Sequence, residues 1–251
     1  MADLRRVFFD VRFYIIVVIV SVVFSVNNNY DEKYFYEWLK FISSNSRLVI
    51  AALALAASTY SNGLGEDMEH SCSNLFLIRG GIIPYVMSKS VSTMLSGFVA
   101  MIGGIGLTCI YKLLLLSAAI EEVDYDANGL YVSCLYENKL IKYIILVGVH
   151  YAALAGIVGM MGMLISLYNR SRLMVYAAPV ALIMICNLFL QRFFPWEVGA
   201  TVSLYAIGVI GISDPVGFMS IPVYYTEIAL WFIVLTVWTY KKFEKKVRFG
   251  G

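Results

Sequence analysis

The chain has 251 residues, 60% of them hydrophobic and 14% charged, with a formal net charge of +2 and a mean hydropathy of +0.76. A soluble globular domain is about 45–50% apolar and about 25% charged, so this balance excludes an ordinary water-soluble domain. The apolar residues fall in runs close to the roughly 20 residues that a helix needs to cross a bilayer, which predicts an all-α, polytopic membrane protein in a single transmembrane domain.

Residues 12–26 form the first expected span. The basic start and apolar core resemble a signal peptide, but no small-residue cleavage site follows, so the span is expected to be retained. Residues 27–47 interleave Tyr30, Tyr34, Tyr36 and Trp38 with charge, the composition of an interfacial helix. The second span is expected at 48–60 and a polar loop at 61–84. The third span covers 85–116, followed by an acidic loop at 117–139 that includes Glu121, Glu122, Asp124 and Asp126. The fourth and fifth spans, at 143–167 and 173–190, are joined by a tight turn. Residues 198–212 are apolar but short and glycine-containing, which suits a re-entrant segment better than a span. The sixth span covers 224–240, and the basic tail 241–251 follows.

Charge sets the orientation. Lys and Arg near span ends favour the cytoplasm. With six spans and both termini inside, the cytoplasmic segments hold 12 of the 19 basic residues and the external side holds 11 of the 17 acids. The tail "KKFEKKVRFGG" prefers the cytoplasm, so an even number of spans is expected and 191–223 becomes an external re-entrant element. Glu197, Asp214 and Glu227 lie around it and would keep an external gate polar. The expected location is the plasma membrane.

The stretch "GEDMEHSCSNLFLIRGGIIPY", residues 65–85, then lies in the cytoplasm. Met68, Cys72, Leu75 and Phe76 share one helical face, and Glu66, Asp67, Glu69, His70 and Ser73 occupy the rest. Acids in a first turn complement the helix dipole. Gly63 and Gly65 precede the expected helix, and Gly80 and Gly81 end it. Membrane-surface helices usually present basic residues to anionic lipid. An acidic amphipathic helix suits a groove on a protein partner better.

Other residues carry weaker signals. Gly148, Ala152 and Gly156 form a small-residue series that allows close helix packing. His150, inside the fourth span, is expected to be neutral and hydrogen-bonded to a neighbouring helix, and Lys112 to reach the headgroups. The four cysteines, at 72, 109, 134 and 186, have no metal-type spacing and imply no disulfide framework. No metal site and no nucleic-acid partner are expected.

With these residues in view, the chain resembles the permease subunit of type-2 ABC exporters. "MADLRRVFFDVRFYIIVVI" is similar to their N-terminal amphipathic elbow and first span, with the elbow at 1–11. "GEDMEHSCSNLFLIRGGIIPYVMSKSV" resembles their coupling helix and the start of span three. "PWEVGATVSLYAIGVIGISDPVG" resembles their external re-entrant element. The resemblance implies that Glu66, Asp67, Met68, Glu69, His70, Ser73, Leu75, Phe76 and Arg79 meet an ATPase subunit, while Tyr85 and Lys89 anchor the base of span three. It also implies two permease chains, two ATPase subunits that bind ATP and Mg, and export of amphipathic, antimicrobial or toxin-like peptides. The chain has no G-x-x-x-x-G-K-[ST] run, so ATP hydrolysis is expected in the partner and no enzymatic activity in this chain. The alternatives are an ion-coupled carrier or channel, which usually shows mid-membrane charge and internal repeats, or an exporter of lipid or glycan cargo.

Overall fold

A computed structural model describes residues 2–25, 46–69, 81–115, 134, 139–169, 171–193 and 220–249. The described residues form helices and turns, with no strand among them. The helices are α1 (Ala2–Phe8), α2 (Val11–Ser25), α3 (Ser46–Ala57), α4 (Gly63–Glu69), α5 (Ile82–Leu115), α6 (Leu140–Ser166), α7 (Arg172–Phe193) and α8 (Ser220–Phe249). Two of them, α5 and α6, are long and apolar enough to cross a membrane, by length and composition; α2, the 48–57 part of α3 and the 172–182 part of α7 are shorter apolar helices. The interfacial helix expected at 27–47 falls almost wholly outside the described residues. So do most of the acidic loop and the re-entrant segment with Glu197 and Asp214.

Helix boundaries follow local chemistry. Asp10 separates α1 from α2: its carboxylate accepts the Arg12 N–H at 2.9 Å, a side-chain cap for the second helix. Gly81 has φ 79° immediately before α5, a left-handed conformation that glycine adopts without steric cost. Helix α4 begins at Gly63, earlier than expected, because its glycines permit close approach instead of breaking the chain. A methyl group at Gly63 would meet the Tyr60 ring at 2.8 Å, and one at Gly65 would lie 3.3 Å from Ser166. The basic tail is not a separate segment, since α8 continues through it to Phe249.

Helix α6 is the hub and touches α3, α4, α5, α7 and α8. Its interior-facing residues include Tyr151, Leu154, Ile157 and Met160, all fully buried. At its crossing with α5 the backbones meet. A methyl group at Gly97 would lie 2.9 Å from the Ala155 carbonyl oxygen, and one at Gly156 would lie 2.9 Å from that of Met94. Such glycine contacts let membrane helices pack at backbone distance. Of the expected small-residue series, Gly156 and the fully buried Ala152 pack in the bundle, whereas nothing described comes within 4 Å of a methyl group at Gly148. Gly162 extends the series instead, facing Ser61 and the Val175 carbonyl. Helix α2 lies on α5, where Thr108 donates to the Ser21 carbonyl at 3.1 Å. Lys112 is buried, at 4% exposure, and does not reach outward as expected.

One end of the bundle gathers distant parts of the chain. Lys89 near the start of α5 contacts Asp3 of α1, and Glu66 of α4 contacts Arg172 of α7. Phe243 of α8 is buried in a cluster with Leu64, Tyr85, Val86, Met163 and Leu167. Lys246 donates to the Leu167 carbonyl at 2.8 Å, where a cation also complements the C-terminal dipole of α6.

Gly97→Ala or Gly156→Ala is expected to cost about 1–3 kcal/mol, the usual penalty of overpacking, and to lower the Tm of the full chain in detergent. Gly106→Ala, where nothing described lies within 4 Å, is expected to leave Tm unchanged or raise it. Equal effects at all three positions would contradict the close crossing.

Candidate functional site: a buried ionic junction

The junction grows from helical spacing. Asp3 and Arg6 are three residues apart on α1, and Tyr85 and Lys89 four apart on α5, so each pair shares a face. Between these faces stand Tyr60, in the turn after α3, and Asp67 on α4.

Lys89 is the centre, at 1% exposure. Its Nζ lies 2.7 Å from Asp3 Oδ1, 2.5 Å from Asp67 Oδ2 and 2.8 Å from the Tyr60 hydroxyl. An ammonium has three N–H donors, and here three oxygens receive them. The Tyr60 hydroxyl donates onward to Asp3 Oδ1 at 2.9 Å, and Ser88 donates to Asp3 Oδ2 at 3.3 Å. The Tyr85 hydroxyl donates to Asp67 Oδ2 at 2.9 Å, and Arg6 Nη1 donates to Asp67 Oδ1 at 2.9 Å. Glu66, one residue earlier, meets Arg172 Nη2 at 3.3 Å and Arg6 Nη2 at 3.9 Å. Three cations, Arg6, Lys89 and Arg172, thus face three carboxylates, Asp3, Glu66 and Asp67.

Burial penalises a charge unless it is paired and hydrogen-bonded, and this network meets both conditions. Burial by itself would raise the Asp3 carboxyl. The Lys89 hydrogen bond and charge, with the hydroxyls of Tyr60 and Ser88, outweigh it and hold Asp3 below its ordinary range. Burial likewise would lower the Arg6 guanidinium, but Asp67 more than compensates and raises it. Donors and acceptors are matched to each other, so the chemistry of the junction is mechanical: it ties α1, the α3–α4 turn, α4, α5 and α7 together.

The sequence-expected residues are placed unevenly. Tyr85 and Lys89 lie near the start of α5, both buried. Asp67 does not face outward: it is 4% exposed, because Lys89, Arg6 and Tyr85 converge on it. Glu66 is drawn sideways to Arg172 and Arg6, and Met68 packs against the buried cluster around Phe243. Glu69 is exposed. His70, Ser73, Leu75, Phe76 and Arg79 lie outside the described residues. Glu227, expected at an external gate, is partly buried on α8. It is 16 residues before Phe243, or about 24 Å along the helix at 1.5 Å per residue. Sequence reasoning missed Asp3, Arg6 and Tyr60 as members of one site. Among the described residues no three His, Cys, Asp or Glu side chains converge as a metal site would require.

Comparison with protein-family models, curated proteins and solved structures finds no match for this chain.

Removing one partner of a buried pair strands the others, at a cost of about 3–5 kcal/mol. Lys89→Met is therefore expected to lower Tm strongly, and adding Asp67→Asn to recover part of the loss; a neutral Lys89→Met would refute the junction. The pH dependence has a definite sign. A carboxyl held low in the folded state contributes stability above its unfolded pKa, about 3.9, and that stability is lost as pH falls through the folded value. Below about pH 4 the full chain should lose stability, and Asp3→Asn should flatten that acid limb in a Tm-against-pH series.

Proposed function

We propose that the chain is the membrane-embedded permease subunit of an ATP-driven exporter of the type-2 ABC kind. A separate ATPase pushes on α4 and the segment that follows it, and the ionic junction carries that displacement into α5 and α1. The observation that carries this reading is the attachment of Asp67, on a seven-residue helix, to Lys89 in the 34-residue α5 and to Arg6 in α1. A short helix seated on apolar contacts alone would slide or roll under load. Charge-assisted bonds to two other helices resist that motion, because breaking any of them strands a buried charge.

Further observations support the membrane reading. Large apolar residues stand exposed along α2, α5 and α8, including Val18, Ile110, Leu230 and Trp238, while Lys89 and Asp67 lie inside. Exposed apolar surface on this scale is costly in water and marks contact with lipid or protein. The gathering of the N-terminus, α4, the α6–α7 turn and the end of α8 at one end of the bundle fits an even number of crossings. Six spans, cytoplasmic termini and an external re-entrant element complete the proposal. Two such chains would enclose the pathway, with two ATPase subunits binding ATP and Mg. The proposed cargo is an amphipathic peptide.

The test separates docking from transmission. Tagged full chain, purified from the membranes of its own cell, should carry a P-loop ATPase and Mg-dependent ATP hydrolysis. Glu69→Lys, on the exposed side of α4, should reduce ATPase co-purification at least tenfold. Asp67→Asn should retain the ATPase but lower cargo export at least tenfold. Retention of ATPase and export by both variants would overturn the proposal.

A further inference from the structure

A cleft of about 520 Å³ opens beside the junction, between the α1–α2 elbow, the α3–α4 turn and α7. Its volume falls within the roughly 300–1,000 Å³ of small-molecule sites. The lining is divided by chemistry. Arg6, Asp10, Arg12 and Glu66 supply charge, while Phe13, Ile15 and Ile16 are apolar.

The four charges are not equivalent. Arg6 is bound by Asp67 and Glu66 by Arg172. The Arg12 guanidinium has no ion-pair or hydrogen-bond partner among the described residues, and Asp10 spends one carboxylate oxygen on the cap of α2. Both residues are exposed. One uncommitted cation and one uncommitted anion therefore sit at the start of the same helix and line the same cleft.

The apolar lining leads away along α2. Ile15 belongs both to the cleft and to a stripe formed by Val11, Ile15, Val18 and Val22. Spacings of four, three and four keep these residues on one helical face, and each is at least 50% exposed. An occupant complementary to both regions has a headgroup carrying one negative and one positive charge, continued by hydrocarbon.

We infer that this cleft binds an aminophospholipid. Its phosphate meets Arg12, its primary ammonium donates to Asp10, and its acyl chains lie along the exposed stripe of α2. The inference rests on the membrane reading above. A guanidinium fork matches phosphate oxygens. A primary ammonium has N–H donors that a quaternary choline lacks, and a glycerol headgroup has no positive charge at all. The site is therefore selective within the class of phospholipids, and it would seat lipid against the elbow whose Asp3 holds Lys89.

Native mass spectrometry of the detergent-purified full chain tests this with dihexanoyl phosphatidylethanolamine, phosphatidylglycerol and phosphatidylcholine, and with inorganic phosphate as the soluble source of the same anion. The ethanolamine lipid is expected to bind at least fivefold more tightly than the other two, and inorganic phosphate much more weakly than any lipid. Arg12→Ala should weaken the ethanolamine and glycerol lipids at least fivefold. Asp10→Asn keeps a good helix cap and should abolish the preference for ethanolamine over glycerol while leaving glycerol-lipid binding unchanged. An unchanged preference in Asp10→Asn, equal binding of all three lipids, or inorganic phosphate binding as tightly as lipid would overturn the inference. Alkaline carbonate extraction separates the two readings. A chain released from membranes defeats both, whereas a retained chain without headgroup selectivity defeats only the lipid site.

Discussion

A lysine ammonium that has lost its water organises this molecule. Lys89 is buried where α1, the α3–α4 turn, α4 and α5 meet, and three oxygens replace its solvation. Burying a charge without partners is far more costly than any single packing contact. The elements supplying those oxygens are therefore held at this point more firmly than their apolar contacts require. Arg6 and Tyr85 extend the constraint by donating to the same carboxylate, Asp67.

The rest of the bundle is arranged around that point by a different force. Helix α6 has no part in the ionic network, and its contribution is close packing. At Gly97 and Gly156 the α5 and α6 backbones approach to a distance that leaves no room for a side chain. Phe243 then closes the same end from α8, its ring 5.5 Å from that of Tyr85. Tyr85 thus joins the two systems, with its hydroxyl on Asp67 and its ring in the apolar cluster. Displacement of α4 meets charge on one side and packed aromatic surface on the other.

Much of the helical framework was legible because apolar run length reports it directly. The expected third span at 85–116 and fourth at 143–167 correspond to α5 and α6 within a few residues. The start of α4 is hard to read in sequence because glycine looks like a breaker, whereas Gly63 serves the close approach of Tyr60. Charge density in the tail hides Phe243, a single apolar residue whose burial accompanies the extension of α8 past the apolar run. Sequence alone points Asp67 to an outward surface because local acidity is visible and its compensation is not: Arg6 lies 61 residues away. The signal available was Lys89 itself. A cation two turns into an apolar helix requires carboxylate partners somewhere, and Asp3 and Asp67 are candidates by position.

The span between those partners has a consequence for biogenesis. Asp3 precedes Lys89 by 86 residues, so the ribosome delivers the carboxylate long before the ammonium it will neutralise. Until α5 is threaded, α1 has nothing to close upon and its acid stays hydrated. The pair closes only when residues at the two ends of this 86-residue interval are brought together. Before that closure Lys89 has Asp67 as its nearer carboxylate in sequence, 22 residues away. The salt bridge that secures this end of the bundle thereby forms only after α1, α4 and α5 have all been synthesised, so no growing chain shorter than 89 residues can hold the junction.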